Sequence, residues 1–230
     1  MPKSRQPFVL NIRQVAEAGV ALIFYWLFRI LPIDLASGFG GWLARNIGPH
    51  LALSERAEQN LKKAFPNISK KELKQIVFAM WDNLGRVVGE YPHLSMLRKY
   101  GAGTRIDIIG AEHIDTLRDD GKPGIFFMAH IGNWEFSGLA SAARNLPVDR
   151  VYRQANNPLT EWLLSRGRAS VDGALIPKGR KGAKQILMSL RAGKHLAMLV
   201  DQKMNDGVAV PFFGMEAMTA PAIAQLALRL

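Results

Sequence analysis

His130 and Glu135 are the two residues of this 230-residue chain whose types and spacing best suit chemistry. An imidazole beside a carboxylate can deprotonate a hydroxyl, because the acid fixes the tautomer and stabilises the imidazolium that forms. On one continuous helix the pair could not cooperate, since five residues turn about 500° and leave the side chains about 140° apart. They meet only if His130 lies in a turn and Glu135 in the first turn of the helix that follows. The local sequence predicts that break. Residues 124–129 (GIFFMA) read as a buried strand, Gly132 supplies turn dihedrals, and Asn133 is a good N-cap for a helix over 134–144. The pair alone is also accounted for by a hydrogen-bonded core histidine and an acid favoured at a helix N-terminus by the macrodipole.

The neighbouring blocks separate these readings. AHIGNWE (residues 129–135) resembles the signature of the bacterial lipid A late acyltransferases, the lauroyl/myristoyl transferases within the lysophospholipid acyltransferase superfamily. Arg56, Asn60, Leu61, Phe65 and Pro66 resemble that family's R-x3-N-L-x3-F-P segment. VYRQANNP (151–158) resembles its Y-R-x3-N-P block, and DQK (201–203) followed by VPFFG and Thr219 resembles its last block. The superfamily at large carries Asp where this chain has Glu135, and its glycerolipid members carry an F-P-E-G-T-R block near where VPFFG stands here. The resemblance implies transfer of a fatty acyl chain from acyl carrier protein to a hydroxyl of a phosphorylated lipid A precursor, without a cofactor. It implies His130 as general base and Glu135 as its orienter, at the bacterial inner membrane with the catalytic domain on the cytoplasmic face. Arg153, Asn133, Tyr152, Asn156, Lys178 and Asp201 are the expected substrate-binding set. Family members normally continue past a helix such as the one expected after Thr219, so the chain reads as C-terminally truncated.

Composition narrows the function independently. The formal charge of +11 calls for an anionic partner, and 48% hydrophobic residues can supply the core of one sizeable α/β domain with an appendage. With no cysteine, disulfides, cysteine-ligated zinc and a cysteine acyl-enzyme are excluded. The five histidines have no metal-ligand spacing, so no metal is expected. Between positions 150 and 203, eleven basic residues face only Glu161, Asp172 and Asp201. Tyr152 and Trp162 are the only aromatics there, which argues against a nucleic-acid surface, where aromatics interleave with the charges. For Lys181, Lys184 and Arg191, opposite Ile186, Leu187 and Leu190, a plain solvated face is one reading. Arg153 differs, because it follows a strand-like segment and precedes an Asn-Asn-Pro turn. That places it at the sheet end that holds His130, where a guanidinium suits phosphate geometry. Lys178 and Arg180 follow another strand, and Asp201 a further one, where an ion pair with an arginine is expected.

The elements that must position these residues fall into two regions, residues 1–100 and 101–230. The first reads as helical and membrane-associated. Residues 18–28 (AGVALIFYWLF) are apolar but bounded by Glu17 and Arg29, short of the roughly 20 residues a span needs. With Lys3, Arg5 and Arg13 on one side and Arg29, Arg45 and Arg56 on the other, an interfacial helix or short anchor fits better than a single pass, and a buried core helix is the rival. Helices are predicted over 11–31, from an Asp34 cap through Trp42, from a Ser54 cap over 55–64, and over 70–88 behind the capping box Ser69-x-x-Glu72. The second region reads as a central mixed sheet with crossover helices. Strands are predicted at 105–109, 124–129, 150–153, 174–177 and 195–200, with helices over 134–144, 158–169 and 181–192. VPFFG reads as pocket wall or core. Gly38-Phe39-Gly40-Gly41 lacks the context of a dinucleotide loop. The rival functions are a lysoglycerolipid acyltransferase and a basic, non-enzymatic membrane-binding module.

Overall fold

The computed structural model describes residues 11–97, 105–168 and 171–229, without the Arg180 side chain. Lys3, Arg5, the boundary near residue 100 and the end of the predicted helix at Ala169 lie outside the described residues.

Four helices open the chain: α1 (Ile12–Ile30), α2 (Ile33–Ile47), α3 (Ala52–Ala64) and α4 (Lys70–Glu90). The Ser69 capping box forms as predicted, with Ser69 Oγ accepting from the Glu72 amide at 3.2 Å and Glu72 Oε2 accepting from the Ser69 amide at 3.0 Å. Two caps differ from expectation. Asp34 lies inside the first turn of α2, its carboxylate gripped by both Arg105 Nη atoms at 2.7 and 2.8 Å. Ser54 is buried within α3, where it donates to the Gly48 carbonyl and accepts from Trp81 Nε1. α2 also runs past Trp42, because its glycines fit closely against α4. A Cβ on Gly40 would strike the Gly85 carbonyl, one on Gly85 the Gly40 carbonyl, and one on Gly89 the Ala36 carbonyl. The GFGG segment therefore serves backbone-to-backbone helix packing.

After a 3-10 segment (Tyr91–Met96), residues 105–109 pass from a bend through irregular backbone into a turn, and among the described residues they pair with no strand. The Arg105–Asp34 ion pair ties this segment to α2, and Ile106 packs on Leu94, Leu97 and Leu139. It belongs to the helical layer, which corrects the strand expected there. α5 (Ala111–Asp119) follows. The sheet comprises β1 (Ile125–Met128), β2 (Val148–Tyr152), β3 (Leu175–Pro177) and β4 (His195–Leu199), in the order β1-β4-β2-β3, and every pairing is parallel. It is thus parallel, not mixed. The antiparallel pair β5 (Lys203–Phe212) and β6 (Met215–Thr219) forms a separate hairpin.

Crossover helices α6 (Ser137–Ala143), α7 (Pro158–Arg168) and α8 (Arg180–Arg191) connect the strands, and α9 (Ala222–Ala227) follows the hairpin. Side-chain alternation along the strands divides the core. Ile125, Val151, Ile176, Leu196 and Met198 pack toward Ile186 and Leu190 of α8 and Leu226 of α9. Phe126, Met128, Val148 and Ala197 pack toward Ile114 and Leu117 of α5. The VPFFG segment is exposed rather than core. It lies on the hairpin with Phe212 and Phe213 exposed, and Phe213 meets Phe65 edge-on at 5.1 Å.

Candidate active site

Parallel pairing brings the carboxyl ends of all four strands to one edge, where ligands gather in α/β sheets. Met128 pairs with Leu199, so His130 and Asp201, each two residues further on, leave neighbouring strands side by side. Asp201 holds His130 twice. Its Oδ1 lies 2.7 Å from His130 Nδ1, and its Oδ2 accepts the His130 amide at 2.8 Å. With the ring hydrogen on Nδ1, Nε2 presents its lone pair at the partly exposed rim, 3.5 Å from the Gln202 amide nitrogen. Trp134 stands edge-on to the imidazole at 5.0 Å. Burial by itself would raise the Asp201 carboxyl, but the His130 amide and ring outweigh it, and its pKa falls below the ordinary aspartate value.

The predicted break between strand and helix is present. Gly132 takes a φ of 56°, and Asn133 Oδ1 accepts the Glu135 amide at 3.2 Å to cap a 3-10 turn (Trp134–Phe136) that leads into α6. Glu135 nevertheless does not orient His130. Arg168 takes its carboxylate with Nη2 at 2.6 Å and Nε at 3.2 Å, in an ion pair whose side chains are 19% and 13% exposed for Arg168 and Glu135. A second guanidinium, Arg150, is anchored beside it on the Val171 and Arg168 carbonyls. Burial lowers the Arg150 pKa; for Arg168 burial acts the same way but is outweighed by the Glu135 hydrogen bond, which raises it. Tyr91, pushed upward by burial and donating to the Leu164 carbonyl at 2.6 Å, stays a neutral member of this cluster.

Other expected site residues divide into exposed and structural. Arg153 is exposed at the end of β2, with no hydrogen bond or ion pair among the described residues, and the β2–β3 register sets Lys178 beside it. Lys178 Nζ donates to Gln202 Oε1 at 3.2 Å. Asn133 Nδ2 donates to Glu90 Oε2 at 2.7 Å, and Ser37 donates to the other oxygen of Glu90, so Asn133 ties the site turn to α2 and α4. Tyr152 lies beneath Arg168, whose guanidinium carbon is 5.7 Å from the ring centre. Asn156 is exposed. Its neighbour Asn157 is the buried one, accepting the Leu159 amide at the start of α7 and donating to the Gln14 carbonyl of α1.

Two apolar cavities meet at this cluster. One, of about 300 Å³, lies between the sheet and α6, against Phe126, Met128, Val148 and Ala197. The other, of about 590 Å³, runs among α1, α2, α4 and α7, against Phe24, Phe28, Leu84 and Leu163. Trp134, Glu135 and Arg168 line both.

The profile of the family described as bacterial lipid A biosynthesis acyltransferase matches residues 6–230. The chain belongs to this family. Among its relatives, a lipid A biosynthesis acyltransferase of Haemophilus influenzae is 26% identical over 212 residues, which cover 90% of this chain and 66% of the relative. The lipid A biosynthesis palmitoleoyltransferase of Escherichia coli is 26% identical, covering 83% and 62%. The phosphatidylinositol mannoside acyltransferase of Mycolicibacterium smegmatis is 24% identical, covering 91% and 69%. The chain spans slightly less than two thirds of the length of the first two.

In this member of the lipid A acyltransferase family, Arg168 and Arg150 are the residues that sequence reasoning missed. Arg168 closes α7 and Arg150 sits within β2, each one basic residue among many. The signal available was an arginine inside a strand, beside Asp149, where a buried charge needs a partner. For Asp201 the expected partner was an arginine, and the partner found is His130.

Proposed function

We propose that this chain transfers a fatty acyl group from a carrier-protein thioester to a hydroxyl of a phosphorylated lipid A precursor, with His130 as general base and Asp201 as its orienter. The observation that carries the reading is the double hold of Asp201 on His130, which leaves Nε2 as the acceptor nitrogen on a ring that stands against Trp134, a residue lining both apolar cavities. Nε2 takes the hydroxyl proton as the acceptor oxygen attacks the thioester carbonyl. The imidazolium is stabilised by Asp201, and collapse of the tetrahedral intermediate expels the thiolate, which recovers the proton. The amides of Gly132, Asn133 and Trp134 have no intramolecular acceptor among the described residues and suit the developing oxyanion. Cavities of this size and lining suit acyl chains. Arg153 and Lys178 supply exposed cations for acceptor phosphate, and the Glu135–Arg168 pair acts as a positioning element for the turn.

With no cysteine, and with Ser137 Oγ donating to the Trp134 carbonyl at 2.6 Å, the acceptor hydroxyl attacks directly and no acyl-enzyme forms. Among the described residues no helix is long and apolar enough to cross a membrane. The proposed seat is the cytoplasmic face of the bacterial inner membrane, held through exposed apolar side chains of α1 and α2. The mycobacterial relative's name favours a second reading, acylation of another glycolipid. Incubating the chain in membranes with acyl-carrier thioester and a panel of lipid A precursors, lysoglycerolipids and phosphatidylinositol mannosides, read by mass spectrometry, decides between them. Acylation confined to the lipid A precursors is expected; transfer to no acceptor would sink the enzyme reading.

A further inference from the structure

One face of α8 is buried through Ile186 and Leu190 against the sheet. The opposite face carries Lys181, Lys184, Met188 and Arg191, spaced by three, four and three residues and all exposed. From residue 173 to residue 200 the chain contains no Asp or Glu, and among the described residues no ion pair involves Lys181, Lys184 or Arg191. Alone, this face is electrostatically unfavourable. Like charges one helical turn apart repel, and Lys181 stands at the positive end of the helix dipole, in a first turn with no acid. An acidic partner reverses both effects.

The stripe also leads to the chemistry. Lys178, just ahead of the helix, donates to Gln202, and Gln202 reaches His130 Nε2. Met188, 60% exposed, is the one large apolar side chain on the stripe. Apolar side chains suited to a lipid surface are instead exposed on α1 and α2, which pack with α7 and α4 rather than with α8. Charge without apolar insertion suits a soluble protein better than a membrane.

We infer that the Lys181–Lys184–Met188–Arg191 face of α8 is the docking surface for the acidic carrier protein that brings the acyl thioester to His130. This rests on the acyl-transfer reading above and adds to it where the donor binds.

The test compares the full chain with its Lys181→Glu/Lys184→Glu/Arg191→Glu variant, reading affinity for immobilised acyl carrier protein and initial rates with two donors, acyl-carrier thioester and acyl-pantetheine. The variant should bind the carrier about tenfold or more weakly and lose its salt dependence, with KM for the carrier thioester rising in step. Its kcat and its rate with acyl-pantetheine, which lacks the protein, should stay at wild-type values. Unchanged carrier affinity overturns the proposal, as does an equal loss with both donors at wild-type Tm. So does lost binding to vesicles of phosphatidylethanolamine and phosphatidylglycerol with carrier affinity intact. If charge reversal lowers Tm, the Lys181→Gln/Lys184→Gln/Arg191→Gln variant carries the same test with a smaller expected change. Carrier binding that depends on the stripe, in a wild type that acylates no lipid, would uphold the docking surface and reject the acyl-transfer reading.

Discussion

An imidazole held on one nitrogen can accept a proton on the other, and Asp201 holds His130 through both ring and amide. His130→Ala should lower kcat/KM by about 10² to 10⁴ with folding intact, and Asp201→Asn should fall toward the same range. The Asp201 carboxyl is held below the ordinary aspartate value of about 3.9, so its contribution to stability is complete above that pH and is lost as pH falls through the lowered folded value. The Tm gap between wild type and Asp201→Asn should therefore stay constant near neutrality and close below about pH 4. A gap that persists unchanged in acid would show that the aspartate stabilises by some route other than its charge. Glu135 makes a different prediction. Breaking one side of a buried ion pair costs about 3–5 kcal/mol, and loss of Glu135 from this largely buried pair leaves Arg168 without its carboxylate and removes a nearby negative charge from Arg150, which keeps its two carbonyl acceptors. Glu135→Gln should lower Tm more than Arg168→Gln, and the double variant should be less damaged than the two losses added. Additive losses in a melting series would mean the pair is not coupled.

At the scale of elements, the α2–α4 contact decides how firmly the site turn is held, because Asn133 leans on Glu90 and Glu90 on Ser37. Two glycines of one segment separate packing from propensity. Gly38 has nothing within 4 Å of an added Cβ, whereas Gly40 would meet the Gly85 carbonyl. Gly38→Ala should stabilise by about 0.5–1 kcal/mol, the usual helix preference for alanine. Gly40→Ala should destabilise by about 1–3 kcal/mol as the helices are forced apart. Thermal melts of the two variants check this, and a shift of the same sign in both would remove the case for close packing.

For the molecule as a whole, α1 has two sides. Phe28 is 2% exposed and its carbonyl meets His93, while Ile23, Trp26 and Ile30 are 68%, 57% and 74% exposed along one stripe. Deleting residues 1–31 would uncover the core behind Phe28 and confuse detachment with unfolding. Ile23→Ser/Trp26→Ser/Ile30→Ser leaves that core in place. It should float poorly with lipid vesicles at an unchanged Tm, because the buried apolar area that drives interfacial binding is gone. Undiminished flotation would move the membrane contact elsewhere.

Local signals carried much of this molecule. The Ser69 capping box, the Gly132–Asn133 break and the positions of the four sheet strands each depend on residues within a few positions of one another and were legible before any contact was known, whereas the all-parallel pairing was not. His130 as a strand-end residue, and the family itself, were legible for the same reason. The partners of the charged groups were not. Whether Glu135 or Asp201 holds His130 depends on the β1–β4 register, which joins residues 71 positions apart. Whether residues 105–109 make a strand depends on whether a neighbouring strand takes them up, and whether VPFFG is core depends on a hairpin that stands apart from the sheet. An acid and a base announce their chemistry by type, but which of them meet is set by topology and burial, and those belong to the tertiary structure alone.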